Sequence, residues 1–382
     1  MKSVELFAGA GGLSLGLEAA GFKHAAVLEW NRDACETLRL NRGDAWPVHE
    51  GDVRSFNYAS IQHDIDLLAG GPPCQPFSLG GKHRAQLDER DMFPQAVRAV
   101  RELRPRAFMF ENVKGLLRQT FSSYFSYILL MLEYPSAEIK QGEDWLTHLA
   151  RLEKMRTRGA PPEYNVIFRL LNAADYGVPQ KRERVFIVGF RSDQGVSWSF
   201  PEPTHSLDAL LWDQWITGEY WKRHHIQVPN AIKKALAPRV RRLESMLFPP
   251  QGQPWRTVRD ALGDMPDPRH PNATSIEGHA FNPGARAYPG HTGSPIDEPA
   301  KTLKAGDHGV PGGENMLAMP NGEVRYFSVR ESARLQTFPD DYRLTGSWSE
   351  AMRQLGNAVP AKLAEIIARD IQRSLAPISR GH

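Results

Sequence analysis

Cysteine is almost missing from this chain: of 382 residues only Cys35 and Cys74 are cysteines, far apart and without metal-ligand spacing. That scarcity excludes a disulfide scaffold and a cysteine-built zinc site, and fits a reducing cytoplasm. Long apolar runs are missing too. No stretch approaches the roughly 18 residues of a membrane span, and Met1-Lys2-Ser3-Val4 enters an apparent strand where a signal peptide would show a charged and then apolar lead. The sequence therefore predicts a soluble, unexported, cytoplasmic protein with neither membrane nor metal partner. Strong charge of one sign is absent as well. A net charge of +3 and a pI near 8.8 permit a nucleic-acid partner without demonstrating one. Internal repeats and low-complexity tracts are lacking, while 41% hydrophobic residues with 9% aromatics supply a real core. At this length two packed lobes are expected.

Short apolar runs alternate with helical patterns through the first two hundred residues. Val4–Phe7, Ala25–Leu28, Ile65–Ala69, Ala107–Phe110, Val166–Leu170 and Val185–Phe190 read as buried strands. Leu13–Ala20, Arg32–Asn41 and Met92–Leu103 read as helices between them. Such alternation predicts an α/β fold with a doubly wound, mostly parallel sheet and ligands at the carboxyl ends of its strands. From about residue 195 the character changes: sixteen of the 29 prolines lie between Trp198 and Phe327, which excludes continuation of the same sheet. A second, smaller and irregular domain is expected there, meeting its partner through loops. Helical pattern returns at Val329–Gln336 and from Pro360 to Ser374. The domains expected are thus 1–196, 197–327 and a return at 328–382, with a partly helical insertion at Leu117–Pro162.

Phe7-Ala8-Gly9-Ala10-Gly11-Gly12 takes a strand into glycines and then a helix, allowing close approach of backbone to a ligand. Glu29 closes the next strand about 20 residues on, where dinucleotide folds set an acid on ribose hydroxyls. Asp52 ends a further short element and could receive an adenine amino group. These features do not by themselves separate a nicotinamide dinucleotide from S-adenosylmethionine.

Gly71-Pro72-Pro73-Cys74-Gln75-Pro76 follows an apolar strand, so a thiol stands in a loop stiffened by three prolines at a strand's carboxyl end. That placement suits a nucleophile, whereas Cys35, within a helical pattern, suits the core. Glu111-Asn112-Val113 follows another strand, and a carboxylate there can exchange a proton with a reacting ring. Taken alone it reads as a helix-cap acid. In Gln180-Lys181-Arg182-Glu183-Arg184, ahead of Val185–Phe190, strand alternation would put Arg182 and Arg184 on one side, suited to phosphate or carbonyl oxygens. A solvated charge run is the ordinary alternative.

Together these blocks resemble the C5-cytosine DNA methyltransferases, especially the bacterial restriction-modification enzymes. The resemblance also takes in Trp30, Arg330-Glu331-Ser332-Ala333-Arg334-Leu335-Gln336-Thr337-Phe338-Pro339 and Gln354-Leu355-Gly356-Asn357-Ala358-Val359-Pro360. It covers nearly the whole chain outside the insertion and the irregular domain, and its specific elements are Pro-Cys-Gln and Glu-Asn-Val. It implies that the Cys74 thiolate adds to carbon 6 of a flipped-out cytosine while Glu111 stabilises protonation at ring nitrogen 3. Carbon 5 then takes a methyl group from S-adenosyl-L-methionine, leaving S-adenosyl-L-homocysteine. Arg184 would hold the base carbonyl or orient the thiolate, and Arg182 would anchor a backbone phosphate. For the cofactor it implies Phe7 stacked on adenine, with Ala8, Gly9, Gly11 and Gly12 in the turn and Glu29 with Trp30 at the ribose. Asp52 and Val53 would border the adenine, Pro73 the methionine end, and Asn357 with Ala358 would close the pocket, although Ser is also common at the last position.

In such enzymes the region before the Arg330–Pro339 block reads DNA, here about Ser197–Phe327. Candidate contacts are Arg239, Arg241, Arg242, Lys301, Lys304 and His308, with Gln75 and Ser78 from the catalytic loop. Each taken singly is better explained by phosphate contact or solvation, since most protein–DNA hydrogen bonds go to the backbone. Double-stranded DNA is the expected partner and a monomer the expected state. A tRNA cytosine methyltransferase shares the catalytic blocks, but the sizeable variable domain argues for duplex DNA. A non-catalytic DNA-binding protein is opposed by Cys74, Glu111, Arg182 and Arg184. An amino-methylating enzyme would carry Asp/Ser/Asn-Pro-Pro-Tyr/Phe where this chain has Pro-Pro-Cys.

Overall fold

The computed structural model describes residues 1–73, 91–230, 232–305 and 315–376. Its principal sheet is built from β1 (Lys2–Leu6), β2 (Lys23–Glu29), β3 (Val48–Glu50), β4 (Leu67–Gly70), β5 (Ala107–Val113), β6 (Tyr164–Asn172) and β7 (Glu183–Arg191). They lie in the order β3-β2-β1-β4-β5-β7-β6. The pairs from β3 to β5 are parallel, whereas β7 runs antiparallel to β5. The sheet is therefore mostly parallel, as the alternation of strand and helix predicted. β4 is buried along its whole length and β5 to its penultimate residue, which is why both read in sequence as apolar runs.

Between β1 and β4 the strand order reverses, and there Leu6 is paired with Gly70. Phe7–Gly12 and Gly71–Pro73 thus leave the sheet side by side at its topological switch point, where open α/β sheets hold their ligands. A Cβ at Gly70 would stand 2.5 Å from the Leu6 carbonyl oxygen, so only glycine allows this approach of the two strand ends.

Helices α1 (Gly12–Ala19), α2 (Arg32–Arg42) and α3 (Phe93–Leu103) follow β1, β2 and β4. Asn31 caps α2 by accepting a hydrogen bond from the Ala34 amide. The expected insertion proves to be part of the core. α4 (Ser122–Glu133) and α5 (Trp145–Thr157) bury Phe125, Ile128, Leu132, Leu149 and Leu152 in the same cluster as Val4, Leu6, Leu68 and Phe108. α4 is apolar nearly all round, which is the composition of a helix covered on several sides.

One buried acid sits oddly in this core. Glu5 on β1 is fully buried, and burial, helped by the charge of Glu29 and opposed by Ser14, raises its carboxyl from 4.5 to about 8. In the unfolded chain the group ionises near 4.5, so the unfolded state binds fewer protons between those values and stability falls as pH rises from 4.5 to 8. Glu5→Gln should remove that dependence. Its stability should exceed wild type's by a margin that widens from pH 5 to pH 8, on the order of 3 kcal/mol at the upper end, with a melting temperature raised accordingly. Thermal melts at both pH values check this, and a margin that stayed constant would contradict it.

By compactness the chain divides into two units, Met1–Leu171 with Glu183–Pro201 and Ala364–His382, and Asn172–Arg182 with Glu202–Leu363. This cut differs from the expected domain limits in one large respect: residues 328–363 cluster with the second unit. The reason is packing. α10 (Val329–Leu335) places Leu335 in one apolar cluster with Val258, Leu262, Leu303, Leu317 and Phe327.

The second unit is also less irregular than its prolines suggest. Besides α9 (Val258–Leu262), α11 (Trp348–Asn357) and the first turn of α12 (Ala361–Leu375), it holds α6 (Leu207–Leu211), a π-helical turn at Trp212–Ile216, α7 (Glu219–Arg223) and α8 (Ala237–Glu244). Leu210, Tyr220 and Trp221 form one small core among these helices, and Leu211, Val240 and Leu243 another. β8 (His205–Ser206) pairs with β9 (Gln253–Pro254), while β10 (Ser294–Pro295), β11 (Met316–Ala318) and β12 (Val324–Tyr326) make a small sheet. Among the described residues no helix is long and apolar enough to cross a membrane, and no group of three or more His, Cys, Asp or Glu could hold a metal ion.

Candidate active site

The turn after β1 is built on left-handed backbone. Phe7 has φ 57°, Gly9 φ 54° and Gly11 φ 82°. For a bulky residue such as Phe7 that conformation is costly and tends to persist at functional sites. The turn is held by Glu29. Its carboxylate accepts the Gly9 amide at 2.7 Å, the Trp30 amide at 2.9 Å and the Asn31 amide at 2.8 Å. Since a carboxylate offers about four acceptor positions, one remains, on the oxygen that takes only Gly9. Beside it Trp30 is 75% exposed, and a Cβ at Gly9 would meet nothing within 4 Å.

Asp52 caps the short turn at Val53–Ser55 and is engaged by its neighbour. Its carboxylate accepts the Arg54 amide and pairs with the guanidinium at 2.5 Å, which lowers its pKa. Val53 is buried.

Glu111 and Asn112 end β5 next to the exit of β4, because Gly70 is paired with Phe110. Asn112 donates its side-chain amide to the Pro72 carbonyl at 2.9 Å. A Cβ at Gly71 would lie 3.4 Å from Glu111 Oε2, so the backbone of Gly71–Pro73 runs directly past this carboxylate. Pro73 itself is exposed, and its carbonyl accepts the Met92 amide at 3.0 Å. Cys74, Gln75 and Ser78, which continue that backbone, lie outside the described residues.

Arg184 comes from β7, where it is paired with Val113. Its guanidinium Nε stands 2.8 Å from Glu111 Oε1, with the Arg184 and Glu111 side chains only 12% and 9% exposed. This is a charge contact without an aligned hydrogen bond, for Glu111 Oε1 is buried and accepts none. A buried carboxylate oxygen with an open acceptor position, beside the chain that leads to a cysteine, can bind an N–H of a ring or hold a proton against it.

Arg182 corrects the sequence reading. β7 begins at Glu183, so strand alternation does not extend back to Arg182, which belongs to the other compact unit. There it is fully buried and donates to three backbone carbonyls: Leu303 at 3.0 Å, Gly356 at 2.8 Å and Ala358 at 2.8 Å. A guanidinium so engaged presents no face to a phosphate. It is a strut, tying the end of α11 to the chain at Leu303.

Other contacts reinforce this strut within the second unit. A Cβ at Gly356 would stand 2.2 Å from the Ala305 nitrogen. Gln180, also fully buried, accepts the Leu303 amide and donates to the Leu335 carbonyl. Asn315 accepts the Lys304 amide and donates to the Lys304 carbonyl, fixing the backbone there on both sides. Sequence reading missed Asn315 and Gln180 in these roles. Asn357 is the last residue of α11, and the Ala358 carbonyl is spent on Arg182.

The expected DNA contacts are placed as follows. Arg239 and Arg242 lie on α8 and both pair with Asp208, while Arg241 between them is exposed. Lys301 donates to the Thr292 hydroxyl at 3.0 Å, and His308 is outside the described residues.

Comparison with known proteins agrees with this geometry. The model of the family described as C-5 cytosine-specific DNA methylase matches residues 1–135 and 140–373. The Type II methyltransferase M.PspPI of Psychrobacter sp. (strain TA137) is 35% identical over 379 residues, 97% of this chain and 79% of that protein. M.NgoMIV of Neisseria gonorrhoeae, also named a Type II methyltransferase, is 33% identical over 384 residues, 98% of this chain and 97% of its own. Among solved structures, the S. pombe Dnmt2 methyltransferase shares the fold, with a TM-score of 0.57, 18% identity and 99% of each chain covered. The chain belongs to the C-5 cytosine-specific DNA methylase family.

Proposed function

We propose that this protein is a DNA (cytosine-5-)-methyltransferase, the modification enzyme of a restriction-modification system, acting on a cytosine rotated out of a specific duplex sequence. The observation that carries the reading is the juxtaposition, at the switch point of the sheet, of the Glu111–Arg184 pair with the backbone that leads into Cys74. Membership of the family supports it, and the relatives' designation as Type II methyltransferases favours DNA over tRNA as substrate.

S-Adenosyl-L-methionine, when bound, supplies an electrophilic methyl group. The residues at β1 and β2 fit such a ligand: Glu29 retains one acceptor position for a ribose hydroxyl, Trp30 offers an exposed ring, and Gly9 leaves open space. Carbon 5 of cytosine is too weak a nucleophile to attack that methyl unaided. Cys74 therefore adds to carbon 6 and Glu111 holds a proton at ring nitrogen 3, so that electron density is delivered to carbon 5. Arg184 keeps Glu111 in place and is close enough to it to steady the base carbonyl. After transfer, loss of the carbon 5 proton and release of the thiol restore the ring. The reacting carbon lies inside the stack, so flipping is a requirement of the chemistry. Residues 197–327 choose the sequence.

Bisulfite sequencing of DNA from cells expressing the protein should show unconverted cytosines confined to one sequence context. Complete conversion everywhere, or labelled methyl groups recovered in tRNA instead, would refute the assignment.

A further inference from the structure

Resting on the DNA methyltransferase reading, a second contact with the duplex can be located. α8 is followed within a turn by Ser245-Met246-Leu247-Phe248-Pro249-Pro250. Leu247 is 92% exposed and Phe248 77%, although the neighbouring apolar residues Val240 and Leu243 are buried in the small helical core. Two adjacent apolar side chains standing this far into water carry a continuing hydrophobic cost, and bare apolar surface of this kind marks an interaction site. The tip is also stiff. Pro249 restricts Phe248 to extended backbone, so little conformational entropy remains to be lost on binding.

The charge around the tip says what kind of partner it meets. Residues 207–250 hold seven Lys or Arg against four Asp or Glu, an excess equal to the net charge of the whole chain. Between residues 220 and 243 there is no acid at all. Asp208 offsets Arg239 and Arg242, but Lys234 and Arg241 are exposed and make no ion pair among the described residues. A basic lobe attracts a polyanion, and duplex DNA, the substrate under the proposed function, is a polyanion whose apolar base stack a Leu-Phe pair can enter.

We propose that Leu247 and Phe248 form a wedge that inserts into the base stack of the substrate duplex, with Lys234 and Arg241 on the flanking phosphates. Phe248 covers base faces exposed as the step opens, which offsets part of the cost of unstacking that step.

The test uses the full-length protein and a target duplex of about 30 base pairs carrying donor and acceptor dyes at its ends, long enough to report a wedge-type kink. Wild type should bend this duplex on binding. Phe248→Ala and the double variant Leu247→Ser/Phe248→Ser should lose the bend and raise KM for DNA about tenfold, the worth of stacking a base on an aromatic ring, with the loss concentrated in KM and not in kcat. Lys234→Gln with Arg241→Gln should instead lower the salt slope of binding by about two while keeping the bend. Unchanged bending and KM in both wedge variants would overturn the proposal. So would a change in oligomeric state without DNA, seen by sedimentation, with KM unaltered; that result would assign the tip to a second copy of the chain. Should wild type neither bind nor methylate the duplex, the DNA reading itself would fall, and the wedge with it.

Discussion

DNA with 5-fluorocytosine at the target position should stay attached to the wild-type protein through denaturation when S-adenosylmethionine is present, and Cys74→Ser should leave all of it free. The sulfur–carbon 6 bond forms as the thiolate adds, and the methyl group joins carbon 5. Release then needs a proton to leave carbon 5 as the sulfur departs from carbon 6. Fluorine cannot depart as a cation, so elimination stops and the adduct persists. The structure bears on this through the approach to Cys74. Gly71 passes the Glu111 carboxylate and Asn112 holds the Pro72 carbonyl, so the described backbone that precedes Cys74 lies beside the group proposed to act on the base.

Cys35 provides the internal control for that experiment. Its side chain is fully buried, its thiol donates to the Glu29 carbonyl at 3.4 Å, and burial together with the charge of Glu29 pushes its pKa up to about 12. A thiol held in that state is not a nucleophile near neutral pH. Cys35→Ala should therefore keep the full adduct. Attachment by both Cys74→Ser and wild type, or by neither, would show that the nucleophile has been misassigned.

What could be seen in the sequence depended on how each segment is buried. β4 and β5 are covered on both faces, so they appear as unbroken apolar runs whose carboxyl ends can be located in the sequence. Cys35 was assigned to the core on its helical setting, and the structure buries it. The helices α6, α7 and α8 were missed because they run five to eight residues among prolines, too short for an amphipathic period to declare itself. α4 and α5 were recognised as helical but not as core: in α4 burial on several sides removes the polar face that would have marked a direction, while α5 buries only His148, Leu149 and Leu152.

Arg182 shows a different limit. Alternation in Gln180–Arg184 is a strand signal only where there is a strand, and β7 starts one residue after Arg182. The carbonyls that fix its role belong to Leu303, Gly356 and Ala358, more than a hundred residues away. Carbonyl acceptors leave no mark on a sequence. The same holds for Asn315, whose closure of the chain at Lys304 is backbone work on both sides.

Glu111→Gln should slow methylation by about 10² to 10⁴-fold, the usual worth of a positioned acid–base group, while S-adenosylhomocysteine binds nearly as it does to wild type. Glutamine matches glutamate in size and can still accept a hydrogen bond, but it cannot hold the proton that ring nitrogen 3 shares as the thiolate adds. Addition at carbon 6 then builds negative charge on the ring with nothing to stabilise it. Cofactor affinity should be largely spared because Glu29, Trp30 and Gly9, proposed to hold its nucleoside, sit at the ends of β1 and β2, with β4 between β1 and Glu111. Some stability will be lost, since Arg184, only 12% exposed, keeps its charge and loses its counter-charge. A melting curve measures that loss separately, and turnover should be compared well below the variant's melting temperature. Single-turnover methylation and calorimetric titration with S-adenosylhomocysteine then divide the possibilities. Slow transfer with intact binding identifies an acid that acts on the base. Parallel loss of both would make Glu111 a structural carboxylate that merely pairs with Arg184, and the proton would have to come from elsewhere.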